Sequence, residues 1–344
     1  MTERLSRSSS PAAIDDDLAL LWRDACRDGP VARALMANLV VYRDRPATED
    51  VDLEAPIEGV PVNEVVRRHP SRLIVLHHGG RPDPSAPVGA AISIVMFGPP
   101  NARFGVEAIT MRSTCAEASL PSIVRRLSLG DIPTSVWWTE DLSGALPLEA
   151  LVAMGRQLVY DSRQWRDMRR GVLALVGLIA REHAPDLADL NWRRLTPMRI
   201  ALTQALAPPL EGLEIGAFHV RISHRAGDAA LAWLLAGWLA SRLGWSDGPA
   251  AHAIIEESRR RAGDLGPDDV LRIAIGPEEP PHVTVTMNER RVLVEYGLRV
   301  APFSIAAPRE TEADAVAAEL RTLTYDSALR DALLALSRHF RPRP

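Results

Sequence analysis

The chain has 344 residues, 47% hydrophobic and 24% charged, with a formal net charge of −4, so extensive disorder is excluded and no cationic field gathers polyanions; nucleic acid is not expected as a partner. All 40 basic residues are arginine, which removes the lysine that a Walker A loop, a Schiff base or a pyridoxal enzyme requires. The length exceeds the usual size of one domain and predicts two, each with its own core.

The opening stretch MTERLSRSSSPAAIDDD is polar and lacks the apolar core of a signal peptide, so a cytoplasmic protein is expected. Residues 1–30 are read as a mobile N-terminal arm and an acidic helix carrying Leu18, Leu21 and Trp22 on one face. An N-terminal α/β domain is expected over 31–190. Its first elements are a strand at Leu39–Tyr42, a short helix around Val65 and Val66 closed by Pro70, and the strand RLIVLHH. Val88–Phe97 and Phe104–Met111 read as a hairpin across GPPNAR. Apolar residues at helical spacing over Leu120–Leu129 precede the buried strand TSVWWT, and PLEALVAMGRQ followed by LVYDSR repeats that rhythm. The alternation predicts a mostly parallel sheet with helices on its faces, closed by a helix over Trp165–His183.

A smaller α+β C-terminal domain is expected over 191–344. LTPMRIALTQALAPP reads as a helix with Pro197 in its first turn, where a missing N–H costs little, and with Pro208 as its stop. Strands are read in GLEIGAFHVRIS, HAIIEES, DVLRIAI, HVTVTM and RRVLVEYGL. The longest apolar run, Ala229–Ala240, has twelve residues, too few to cross a bilayer of about 30 Å; it reads as a buried helix, and no membrane association is expected. One or two amphipathic helices over Glu312–Phe340 and a disordered RPRP tail finish the chain.

No G-x-S-x-G elbow, H-E-x-x-H pair, G-x-G-x-x-G turn or calcium-binding loop is present. Cys26 and Cys115 are the only cysteines and form no metal-spaced cluster, so neither a metal nor a cofactor is expected. Two short constellations have a chemical reading beside a bland one. His77-His78-Gly79-Gly80 follows a strand, where α/β folds present ligand groups, yet neighbouring strand residues point to opposite faces, which disfavours a shared metal. Asp161-Ser162-Arg163 can hold a phosphate through hydroxyl and guanidinium donors, or simply cap the helix that follows. Arg259-Arg260-Arg261 reads as a solvated helix end. Eight of the seventeen aromatic residues are Trp; Trp and Arg are enriched at interface hot spots, although tryptophan also fills cores, the reading adopted for Trp233 and Trp238. Trp137 and Trp138 are adjacent on one strand, so they enter opposite faces and one of them needs a cover of its own.

Five blocks in order, HPSRLIVL (69–76), IPTSVWW (132–138), VYDSR (159–163), DLNWRRLTPMR (189–199) and LLAGWLASRLGW (234–245), resemble the OpcA family of glucose-6-phosphate dehydrogenase assembly proteins. They span most of the chain and contain rare Trp-Trp, Asn-Trp and Gly-Trp pairs. The resemblance implies a non-catalytic factor that binds glucose-6-phosphate dehydrogenase, promotes its active oligomer and supports NADPH supply through the oxidative pentose phosphate pathway. The redox control associated with some cyanobacterial members is not carried over, because only Cys26 and Cys115 are available. On the matching blocks, the candidates for partner contact or domain junction are Trp137, Trp138, Asp161, Arg163, Trp192, Arg193 and Arg199. DLNWRRLTPMR equally reads as a junction latch in which Asp189 or Asn191 caps a helix and Trp192 packs on it. The competing reading is a sugar-phosphate-binding protein or enzyme using Asp161, Ser162 and Arg163 with His77 and His78 at adjoining strand ends.

Overall fold

The computed structural model describes residues 2–44, 59–79, 89–99, 101–113, 119–144, 149–206, 219–246, 248–249, 252–258, 265–277, 281–297 and 300–340. Its first half carries β1 (Thr2–Ser9), α1 (Ile14–Ala25), β2 (Val31–Arg33), β3 (Ala37–Asp44), α2 (Val62–Arg68), β4 (Ser71–His78), β5 (Gly89–Phe97), β6 (Arg103–Ser113), α3 (Leu120–Leu127), β7 (Thr134–Trp138), α4 (Glu149–Val152), β8 (Gln157–Tyr160), α5 (Met168–Ile179) and β9 (Asp186–Asp189). The strands form one nine-stranded sheet in the order β1-β5-β6-β4-β3-β7-β8-β9, with β2 alongside β6.

Strands β6, β4, β3, β7, β8 and β9 are mutually parallel. All of β4 and β8 is buried, as strands covered on both faces must be, and this is why they read as continuous apolar runs. Leaving aside the antiparallel β5, the parallel strands counted along the chain from β3 lie in the order 3-2-1-4-5-6. This is the doubly wound arrangement, whose switch point lies between β3 and β7. β5 turns back beside β6 as the expected hairpin, with Ile92 opposite Ile109.

Thr2–Ser9, expected to belong to a mobile arm, is instead the outer strand β1, paired with β5 from Thr2 opposite Phe97 to Ser9 opposite Ala90. An edge strand is held by backbone hydrogen bonds, which polar side chains do not impair, so its polarity was no sign of mobility. Behind it, Leu18 and Leu21 of α1 are buried and Trp22 Nε1 donates to the buried Glu107 at 2.7 Å.

The sheet separates two cores. Val40, Ile74, Val136, Trp138 and Leu158 share one core with α3 and α5, whereas Leu39, Val75, Trp137 and Val159 share the other with α2. Trp137 and Trp138 therefore part as strand alternation requires, each buried, and Trp138 stacks on Tyr42 at 4.2 Å.

The second half holds α6 (Leu190–Arg194), α7 (Thr196–Ala205), β10 (His219–His224), α8 (Ala229–Leu243), β11 (Ala253–Glu257), β12 (Asp269–Gly276), β13 (Val283–Asn288), β14 (Arg291–Tyr296), β15 (Phe303–Ala306), α9 (Glu312–Thr322) and α10 (Ser327–Phe340). Its six-stranded sheet runs β11-β10-β12-β13-β14-β15 and is antiparallel except where β10 and β11 pair around α8. The α/β sheet followed by a smaller α+β part is thus the architecture that the sequence predicts. Leu271, Ile273, Ile275, Val283, Val285 and Met287 bury one face of this sheet. On that side α8 meets α10 at Gly237, where an added Cβ would lie 2.7 Å from the Ala332 carbonyl oxygen. α9 instead crosses to the first sheet, where Ala313, Val316 and Leu320 pack with Val65 and Val66.

Some boundaries differ from the sequence reading. The helix expected over Trp165–His183 is only Met168–Ile179, because Asp167 caps it by accepting from Arg170 N at 3.0 Å. Gly80, Cys115, Arg259-Arg260-Arg261, the part of GLEIGAFHVRIS before His219 and the RPRP tail lie outside the described residues, among which no helix is long and apolar enough to cross a membrane.

Candidate functional site at the domain junction

β9 ends the first sheet and the chain passes at once into α6. Asp189 caps that helix: its Oδ1 accepts from Asn191 N at 2.9 Å and from Ser162 N at 3.0 Å, tying the ends of β8 and β9 together. Burial, reinforced by the nearby Asp161, raises the Asp189 carboxyl from 3.8 to about 7. Asp161 accepts from both Nη atoms of Arg194 at 2.8 Å and from Arg163 N at 3.0 Å, so it caps the 3-10 turn Ser162–Gln164 while holding α6. The neighbouring Arg193 forks onto Glu310 at 2.7 and 2.8 Å and reaches Glu319 at 3.2 Å. Trp192 is buried and donates Nε1 to Asp326 at 2.8 Å. Over its indole, 3.8 Å from the ring centroid, lies the Arg199 guanidinium. Burial lowers the Arg199 pKa to about 10, which leaves it cationic at neutral pH. The block from Asp189 to Arg199 thus grips the first sheet through Asp161 and Ser162, and the C-terminal segment through Glu310, Glu319 and Asp326.

Beside this junction a cleft of about 840 Å³ opens between the two sheets, at the carboxyl end of β8, where α/β proteins place their ligands. Asp161, Arg163, Arg193 and Arg194 line it together with Arg225, Asp228, Met287 and Asn288. Arg163 and Arg225 converge on Asp228, which is 2% exposed: Arg163 Nε lies 3.5 Å from Oδ1 and Arg225 Nε donates to Oδ2 at 2.9 Å. Between Arg225 and Asp228 the chain makes a tight turn, with Asp228 N donating to Arg225 O at 3.0 Å and Gly227 at φ +86°, a conformation open to glycine without strain.

The structure brings Asp161, Arg163 and Arg193 to this cleft and sets Trp192 and Arg199 just behind it. It leaves Trp137 and Trp138 inside the first domain. The composite of Asp161, Ser162 and Arg163 with His77 and His78 is not assembled: β4 and β8 are separated by β3 and β7, which puts their ends roughly 14 Å apart. Both histidines are buried at the end of β4, where His78 Nδ1 meets Ser113 O at 3.1 Å, and Ser162 is buried beneath the cap. Cys26 is exposed. Sequence reasoning missed Arg194, Arg225, Asp228, Glu310 and Glu312. Arg194 sat within a block already singled out; the others belong to no local motif and acquire meaning only opposite Asp161 and Arg163.

Fold and site together define a two-domain α/β protein of the doubly wound kind with a charged cleft between its domains. Residues 62–176 match the family model for the N-terminal domain of the glucose-6-phosphate dehydrogenase subunit, and residues 185–333 match the model for its C-terminal domain. The chain belongs to this family, the OpcA family. A relative from Synechococcus elongatus, named OpcA and designated an OxPP cycle protein, is 28% identical over 225 residues, 63% of this chain and 49% of the relative. Another of that designation, from Synechocystis sp., is 30% identical over 143 residues, 41% of this chain and 30% of the relative. The chain therefore spans about half the length, or less, of the curated relatives it matches. Among solved structures, a 3-ketoreductase from Actinomadura kijaniata aligns over 90% of this chain and 95% of its own, with a TM-score of 0.40 and 9% identity, a likeness too slight to carry meaning for this chain.

Proposed function

We propose that this chain is a non-catalytic, cytoplasmic partner of glucose-6-phosphate dehydrogenase that binds the enzyme, promotes its active oligomer and so supports the oxidative pentose phosphate pathway. The observation that carries the reading is the succession along one chain of both family models for the dehydrogenase-associated domains, over 62–176 and 185–333.

Local chemistry agrees with a role outside catalysis. In a doubly wound enzyme the dinucleotide pyrophosphate rests on a glycine-rich turn after the first parallel strand. Here the sequence after β3 has no glycine before Gly59, so that glycine-rich turn is not written there. At the switch point itself the strand ends bind each other: Thr139 Oγ1 donates to Tyr42 O at 2.7 Å, and Asp44 N donates to Glu140 Oε1 at 3.2 Å.

Such a partner acts only through its difference in affinity for active and inactive dehydrogenase. Raising an active fraction from about one tenth to about nine tenths takes a difference of roughly 80-fold, about 2.6 kcal/mol. The test is to mix the purified chain with its host's glucose-6-phosphate dehydrogenase and measure particle mass and sugar-phosphate saturation. A particle heavier than either protein alone, holding the chain on an enlarged dehydrogenase oligomer, with tighter saturation, is expected. Masses of the separate proteins together with an unchanged saturation curve would end the proposal.

A further inference from the structure

The interdomain cleft holds groups that the junction leaves uncommitted. Arg193 and Arg194 direct their forks at Glu310 and Asp161. Arg163 and Arg225 instead turn their Nε atoms to Asp228, and the four Nη atoms of this pair donate to no acceptor among the described residues. Two guanidinium groups share that one carboxylate, so this corner of the cleft keeps an excess positive charge. Arg163 is half exposed there, open to a ligand.

Elsewhere in the same cleft the polarity reverses. Glu312 lines it with a partly buried carboxylate that makes neither a hydrogen bond nor an ion pair with any described residue. Asn288 lines the cleft too, while Ile200, Met287 and Ile305 supply apolar surface. Ile200 is 45% exposed there. The volume, about 840 Å³, lies within the range of small-molecule sites.

Two guanidinium forks present more donors than the two oxygens of a carboxylate can accept in one plane, whereas the three outer oxygens of a phosphoryl group can meet both. A carboxylate is the usual acceptor for hydroxyl donors, and the Asn288 amide, whose Oδ1 already accepts from Arg290 N and Arg291 N at 3.0 Å, offers its Nδ2–H to a hydroxyl oxygen. We infer that this cleft binds a small hydroxylated organic phosphate, with the phosphoryl group on Arg163 and Arg225 and the hydroxyl groups on Glu312 and Asn288. The site does not depend on association with the dehydrogenase and is tested on the full chain alone.

Calorimetric titrations with inorganic phosphate, a hexose phosphate and the corresponding neutral hexose read the proposal. The hexose phosphate should saturate the chain about 10-fold more tightly than inorganic phosphate, and the neutral hexose should give no heat. Arg163→Lys and Arg225→Lys keep a cation beside Asp228 but remove the fork, and each should weaken the hexose phosphate about 10-fold with the unliganded melting temperature unchanged. Glu312→Ala removes both acceptor oxygens and should bring the hexose phosphate toward the affinity of inorganic phosphate. Should Arg225→Lys fail to fold, the half-exposed Arg163 carries the test by itself. The inference is overturned if no heat appears up to about 10 mM ligand, if both lysine variants bind as the parent does, or if the hexose phosphate is no tighter than inorganic phosphate.

Discussion

Replacing Gly237 by alanine pits helix propensity against packing, and the two have opposite signs. In an unhindered helix the change stabilises by about 1 kcal/mol, because glycine has the greater backbone freedom to lose. Gly237 lies in the middle of α8, where a Cβ would sit 2.7 Å from the Ala332 carbonyl oxygen and 2.7 Å from Leu336 Cγ. Carbon atoms in good contact stand about 3.5–4.0 Å apart, so α8 and α10 would have to separate by close to 1 Å. The Ala332 oxygen is backbone within α10 and cannot rotate aside. Overpacking of this kind costs roughly 1–3 kcal/mol, and a backbone clash belongs at the upper end, so Gly237→Ala should lower stability by about 1–2 kcal/mol net. Gly177 in α5 is the matched control, since a Cβ there meets nothing within 4 Å. Gly177→Ala should gain up to about 1 kcal/mol. Urea unfolding followed by tryptophan fluorescence measures both as shifts in midpoint at constant slope. A Gly237→Ala protein as stable as its parent would refute the close helix contact.

Asp189 makes stability depend on pH. Its folded carboxyl titrates near 7 against an ordinary 3.8, so the folded chain holds an extra proton between those values. Stability should fall as pH rises from about 4 to 7 and then level off, by an amount on the order of 4 kcal/mol. Asp189→Asn keeps an oxygen for Asn191 N and Ser162 N and should flatten that decline; identical pH slopes for the two proteins would discard the shift. Trp192→Phe keeps an aromatic ring beneath Arg199 but removes both the donor to Asp326 and part of the buried indole, with an expected loss of at least about 1–3 kcal/mol. In a double-mutant cycle with Asp326→Ala, strict additivity would show that the bond contributes nothing. Trp138→Ala empties a buried site stacked on Tyr42 and should cost about 3–5 kcal/mol, visible as a lower melting temperature. An unaltered melting temperature there would contradict a core position for Trp138.

The parallel strands were legible because burial on both faces leaves an unbroken apolar signature, as in RLIVLHH and TSVWW, and the hairpin because GPPNAR interrupts two such runs. β9 escaped notice: DLAD carries two aspartates and becomes a strand by pairing with β8. β15 is similarly short, and β1 is polar; each is held by a neighbouring strand rather than by its own composition. The cap on Asp161 was readable, since Asp before a turn is a local device, but its grip on Arg194 was not. His77 and His78 were set beside Asp161 in sequence reasoning, and strand order parted them.

By itself the sequence determined most element types, the separation of Trp137 from Trp138 onto opposite faces, and the family, since periodicity, caps and motif blocks are local properties of the chain. Only the tertiary structure decided that α9 covers the first sheet, that Arg163 and Arg225 converge on Asp228, and that a cleft lies between them and Glu312. Those contacts join residues far apart along the chain, and which distant groups meet is set by strand order and domain packing, to which no local pattern of side chains responds.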